Sequence, residues 1–208
     1  ALIAPYNDGV KTTFIAVAVV LAAAAQASAQ DPSQVRRQFE AGQYAQVVQA
    51  ATPEADPAVV YTAAQGQQKL GADPAARELY QRLAERPEGD PWRAIGASAL
   101  ALMDGQTDAA AESARQAVAL NGDLAEAHYQ LGLVLARQEA WAEAAAAFDR
   151  VGQLNPAHAY AFYYGGLMHN RANRTDLMAV NFHPFLKLAP QAPERPEVLQ
   201  IMRTIRGR

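Results

Sequence analysis

From Pro57 onward the sequence repeats itself every 34 residues. Take Pro57, Pro91, Ala125 and Ala159 as position one of each unit. Position eight is then Ala64, Ser98, Gly132 and Gly166, all small. Position twenty is Ala76, Ala110, Ala144 and Met178, and position twenty-four is Tyr80, Ala114, Phe148 and Phe182. Position twenty-seven is Leu83, Ala117, Val151 and Phe185. Two antiparallel helices approach closely only where side chains are small, which positions eight and twenty supply. The ring at position twenty-four fills the gap to the next helix pair, and burying each is worth about 1.5–3 kcal/mol. Pro156 and Pro190 stop the second helix of their units, since proline cannot continue one. A unit of this size cannot bury its apolar face alone, so the expected architecture is a stack of helix pairs.

Composition agrees. The 208 residues are 50% hydrophobic and 19% charged, enough for a sizeable core. Alanine dominates the apolar fraction and costs least in a helix, so the expected class is all-α. A net charge of −3 argues against a nucleic-acid binder, which needs a basic face. The absence of cysteine removes disulfides, thiolate metal sites and cysteine nucleophiles.

The unit running from Ala125-Glu126-Ala127-His128-Tyr129-Gln130-Leu131-Gly132 to Leu154-Asn155-Pro156 resembles the tetratricopeptide repeat family, and Phe182 to Pro190 is a second close match. The resemblance covers residues 57–190. It departs at position four, often tryptophan in the family and here Val60, Ala94, His128 and Phe162. The resemblance implies a right-handed solenoid that binds other proteins on a concave face lined by the first helix of each unit. Position five of that face is Tyr61, Ile95, Tyr129 and Tyr163; position thirteen is Lys69, Met103, Arg137 and Arg171; Trp92 and Tyr160 add rings at position two. Tyrosine, tryptophan and arginine often carry interface energy, and arginine pairs with carboxylates. The candidate partner-binding residues are therefore Tyr61, Lys69, Trp92, Tyr129, Arg137, Tyr160, Tyr163 and Arg171, facing an extended or helical segment with some acidic residues. The asparagine and lysine set by which one branch of the family grips acidic chain ends is missing, since position nine is Gln65, Ala99, Leu133 and Leu167.

Residues 31–56 read as a degenerate unit, with helices over Ser33–Glu40 and Gln43–Ala51 and Asp31 or Ser33 as the cap. Residues 191–208 read as a capping helix and basic tail, with Val198, Ile201, Met202 and Ile205 on one face. Pro184 falls inside a second helix and should kink it or delay its start.

Residues 1–30 form a separate segment. Lys11 precedes an apolar run over 12–29, and Ala27-Ser28-Ala29-Gln30 has the small-x-small form of a signal-peptidase site. As a helix the run rises about 27 Å, close to a hydrocarbon core of about 30 Å. Ala1 is what removal of an initiator methionine before alanine leaves, which agrees with retention. The expectation is a hydrophobic helix retained as an anchor; the alternative is a cleaved signal peptide. In both cases Lys11 keeps the N-terminus in the cytoplasm and sends residues 31–208 into the periplasm of a bacterium.

No catalytic constellation emerges. His128, His158, His169 and His183 form no dense ligand cluster, and there is no Walker loop or Gly-x-Ser-x-Gly. Asn173-Arg174-Thr175 has the form of a glycosylation sequon but carries no argument in a bacterial chain. The expected function is a non-catalytic protein-interaction scaffold without cofactor or metal, an accessory or assembly subunit of an inner-membrane complex. A soluble periplasmic adaptor is the alternative.

Overall fold

The computed structural model describes residues 30–206. Within them lie eleven helices: α1 (Pro32–Glu40), α2 (Tyr44–Gln49), α3 (Pro57–Lys69), α4 (Asp73–Ala84), α5 (Pro91–Met103), α6 (Thr107–Leu120), α7 (Ala125–Arg137), α8 (Trp141–Leu154), α9 (Ala159–Arg171), α10 (Thr175–Leu188) and α11 (Arg195–Arg206). The fold class is all-α, as expected. The hydrophobic helix expected over 12–29 lies outside the described residues. Among those described, no helix is long and apolar enough to cross a membrane.

Helix starts follow the 34-residue spacing: α3, α5, α7 and α9 begin at 57, 91, 125 and 159, and α4, α6, α8 and α10 at 73, 107, 141 and 175. Local chemistry sets the early starts. Asp31, Asp56 and Asp90 each precede a proline at the first helical position, and their carboxylates accept from the backbone N–H of Ser33 at 3.0 Å, Ala58 at 2.8 Å and Trp92 at 2.9 Å. In the last unit His158 takes this place, its Nδ1 accepting from Ala161 N–H at 3.2 Å.

The turn within each unit is also repeated. Ala72, Gln106, Ala140 and Arg174 donate back to the carbonyls of Gln67, Ala101, Leu135 and His169 at 2.8–2.9 Å. This six-to-one bond needs a left-handed residue just before the donor. Gly71 (φ 72°) and Gly105 (φ 74°) fill that place, then Glu139 and Asn173, both at φ 60°. Asn173 is thus set by the backbone of a turn.

Position eight shows why the units stay thin. A Cβ on Gly132 would lie 2.8 Å from Phe148 Cζ, and one on Gly166 only 2.5 Å from the Phe182 ring. The position-twenty-four ring therefore sits on position eight of its own unit. It also reaches the next, since Phe148 stacks on Tyr164 with centroids 5.5 Å apart.

The degenerate unit forms as α1 and α2, and α11 follows the array. Pro184 does not delay α10, which starts at Thr175 in register with its counterparts and runs through to Leu188. Val180, whose carbonyl loses its helical partner to the proline, is 63% exposed, so the break falls on the solvent side of the helix.

The turn makes one test simple. Glu139→Gly should raise stability by about 0.5–1 kcal/mol by relieving the left-handed penalty, while Gly105→Ala should lower it by about 1 kcal/mol. A Cβ at Gly105 meets nothing within 4 Å, so that loss is conformational. Urea midpoints at constant slope measure both; equal midpoints for Glu139→Gly and the native chain refute the strain.

Candidate functional site

The inner helices α3, α5, α7 and α9 curl tightly enough for non-adjacent units to touch. Tyr61 on α3 donates its hydroxyl to Gln130 Oε1 on α7 at 2.8 Å. Gln130 Nε2 donates to Ser98 Oγ at 3.1 Å, and Ser98 to the Ala110 carbonyl at 2.8 Å. All three polar side chains are buried. The relay crosses three units through the middle of the array.

Helix α1 lies against this inner face at several places. Arg36 donates to Gln65 Oε1 on α3 at 3.0 Å and stands 5.9 Å from the centroid of the Tyr129 ring on α7. Phe39 packs on Tyr160 of α9 at 5.4 Å. Glu40 Oε1 lies 3.7 Å from His158 Nδ1. That nitrogen already accepts the Ala161 N–H, so it carries no proton and the contact is no ion pair.

The eight candidate partner-binding residues separate into three groups. Tyr61, Tyr129, Tyr160 and Tyr163 are all buried, at 0–7% exposure, and Trp92 is half-buried with its ring 6.2 Å from that of Tyr61. Lys69 is half-exposed and paired with Glu194 at 2.8 Å. Arg137 is exposed beside a cavity of about 550 Å³ whose wall includes Phe39, Gln65, Leu102, Tyr129 and Leu133. Arg171 is exposed, away from that cavity's lining, over the Trp141 ring at 5.5 Å. The expected aromatic column is thus mostly interior, and of the basic column only Arg137 lines the cavity without a paired carboxylate among the described residues.

Burial sets the acidities. Desolvation pushes the Tyr61 and Tyr129 hydroxyls well above the ordinary phenol value; it raises Tyr160 and Tyr163 as well, with the Glu194 and Glu197 carboxylates adding to the effect. None is a source of protons near neutrality. Burial drives His158 well below its usual range, with the Arg36 charge adding to the effect. Desolvation pushes Glu40 up to about 7 against the pull of Arg36 and of the Ala159 and Tyr160 N–H groups. Among the described residues four buried side-chain polar atoms lack a partner: Arg36 Nη2, Gln38 Oε1, Glu40 Oε1 and His158 Nε2. Three belong to α1 and the fourth to the residue it faces.

Of the other histidines, His183 is exposed, and His169 and His128 are tied to neighbouring groups. His169 Nε2 meets Asp149 Oδ2 at 2.9 Å, and His128 Nε2 meets the Gly122 carbonyl at 2.9 Å. Among the described residues no group of three histidine or acidic side chains is placed to hold a metal ion. The sequence reading missed Glu40, Arg36, Glu194 and Glu197 as neighbours of the tyrosines. Glu194 and Glu197 stand one 34-residue period beyond Tyr160 and Tyr163, a signal the repeat register carries, whereas Arg36 and Glu40 reach the tyrosines only through the curl of the array.

With this geometry in view, residues 125–158 match the family profile of the tetratricopeptide repeat. No curated protein matches the chain. A thermophilic TPR protein of Thermus thermophilus is 21% identical, covers 83% of this chain and 98% of its own, and superposes with a TM-score of 0.60. YrrB, described as a TPR protein with an unusual peptide-binding site, is 18% identical, covers 78% and 81%, and scores 0.51. One unit thus carries the repeat's sequence pattern, and the array has the tetratricopeptide fold.

The buried Glu40 gives a pH signature. An acid whose folded value lies above its unfolded one holds its proton more tightly when folded. Its contribution is full below about pH 4.5 and is lost as pH rises through about 7. His158 runs the other way, contributing above about pH 6.5 and losing that as pH falls. Glu40→Gln should therefore gain on the native chain as pH rises from 4.5 to 7, by roughly 3 kcal/mol in total. Urea unfolding at half-unit pH steps reads the difference; parallel profiles exclude a protonated Glu40 in the fold.

Proposed function

We propose that this chain is a non-catalytic scaffold that binds protein partners on the periplasmic face of a bacterial inner membrane. There it serves as an accessory or assembly subunit of a membrane complex, whether respiratory, photosynthetic or of the envelope. The observation that carries the binding reading is the mouth of the inner face. Exposed Arg137 stands there beside an apolar cavity walled by Phe39, Leu102, Leu133 and Tyr129. A cation over an apolar floor suits a partner side chain with an apolar body and an acidic tip. The peptide-binding site of YrrB adds support by likeness of fold. The membrane reading rests on sequence, on the apolar run over 12–29 behind Lys11.

A second reading, a soluble periplasmic adaptor, is favoured by Ala27-Ser28-Ala29-Gln30. The two separate by the fate of residues 1–30. A photo-crosslinking residue placed in cells at Ala136, beside Arg137 on the cavity wall, followed by detergent extraction of native membranes, tests both. The expected result is a crosslink to a defined membrane-complex subunit and an intact mass that includes the N-terminal segment. Arg137→Ala should weaken purified-partner binding about tenfold, near 1.4 kcal/mol. A mass starting near Gln30 with only soluble crosslinks selects the adaptor, and a free monomer with no crosslink at any site overturns the scaffold.

A further inference from the structure

Three of the eight candidate residues do grip acidic side chains, and those side chains belong to the chain itself. Lys69 Nζ lies 2.8 Å from Glu194 Oε1. The other oxygen of that carboxylate, Oε2, accepts the hydroxyl of Tyr160. Three residues on, Glu197 Oε2 accepts the hydroxyl of Tyr163 at 2.9 Å. The lysine comes from the end of α3 and both tyrosines from the first turns of α9, so the cradle exists only because the array curls. The Lys69 ammonium also stands 5.6 Å from the Tyr160 ring. Pro193 rests on the turn at Gly42, where a Cβ would lie 3.1 Å from its Cγ. Arg195 Nη1 donates to the Leu186 carbonyl at 2.7 Å.

The segment so held has little else to keep it there. From Arg195 to Thr204 only Val198 is fully buried; Ile201 and Met202 are half-buried, and Glu197 is exposed. An element with few buried apolar side chains belongs to the low end of the local stability scale. The grip itself is chemically particular. One carboxylate receives a cation and a phenol, and the next receives a phenol. Phenols raised by burial stay protonated and remain donors, so they discriminate for carboxylates.

We propose that Lys69, Tyr160 and Tyr163 form a docking site for an acidic partner segment with two carboxylates three residues apart, and that Glu194 and Glu197 fill it as an internal stand-in. This deepens the scaffold reading and rests on it. The partner supplies Glu or Asp at i and i+3, as at the start of a helix after a turn, and displaces residues 193–203 when it binds. Tethering holds the stand-in at an effective concentration of order millimolar, so only a tighter or tethered partner enters. The site is closed until such a partner arrives.

The test uses the full chain and a fluorescent peptide copying residues 189–203. In anisotropy titrations Glu194→Ala with Glu197→Ala in the chain should raise affinity for the peptide at least tenfold over the native chain. Adding Lys69→Ala should remove the gain, higher salt should weaken it, and a peptide with Gln at both acidic positions should bind no better to the variant than to the native chain. Equal binding of the Glu and Gln peptides, or no gain in the double variant, overturns the proposal. A measurement on the native chain guards against a misfolded variant. Saturating Glu peptide should speed amide exchange in residues 197–203 and leave α7 and α8 protected, whereas unchanged exchange marks a permanent cap and also overturns it. A membrane partner crosslinked through position 136 that the peptide does not compete away overturns this docking site while leaving the scaffold reading in place.

Discussion

The Tyr61 hydroxyl reaching Gln130 across two units locks in the curvature on which the rest of the inner face depends, a curvature that the packing between units sets up. A buried phenol must find a partner, and so must a buried amide. Here each group's need is met by the next, from Tyr61 through Gln130 and Ser98 to the Ala110 carbonyl. Flattening the array would strand these groups, at about 1–3 kcal/mol for each one left unsatisfied. The curl brings Tyr129 under Arg36, Tyr160 under Phe39 and α9 within reach of Lys69.

The array itself was legible because it is local. A 34-residue spacing of small residues and rings dictates which helices pair, and the starts of α3 to α10 fall on that spacing. The capping aspartates were half visible: Asp31 was a candidate, while Asp56 and Asp90 sat unremarked before their prolines. The inner face was legible in composition but not in exposure. Tyr61, Tyr129 and Tyr163 share a repeat position whose ordinary orientation is inward. Whether inward means an open groove or a packed interior depends on the rotation from unit to unit. That rotation sums small packing differences, such as glycine at position eight in two units and alanine or serine in the others, and no single residue spells it out. Glu194 and Glu197 fall one period beyond Tyr160 and Tyr163 and were open to the repeat register, but the reach of Glu194 to Lys69, 125 positions away, depends on that rotation.

The polar groups of the interior fall into two kinds. The Tyr61–Gln130–Ser98 relay is complete and holds one geometry. The group around α1 is not: Arg36, Glu40 and His158 come together with each keeping an atom that has no partner among the described residues. Burying such groups costs stability, which an apolar helix in the same place would not incur. The apolar contacts of Val35 and Phe39, both almost fully buried, offset that cost. The inner face is firm at its centre and conditional where α1 leans on α7 and α9.

A linear stack of repeats has contacts only between neighbours, so its units open and close nearly independently. This chain departs from that scheme. Lys69 pairs with Glu194, 125 positions away, and Phe39 packs on Tyr160. These contacts join the first units to the last and make the ends share their stability. Such long-range contacts close most of the array into one loop, and the entropy of that closure grows only slowly with its length. The closing contacts around Glu194 and Glu197 are largely polar and bury little apolar surface, so they add less to local stability than the packed helix pairs between them.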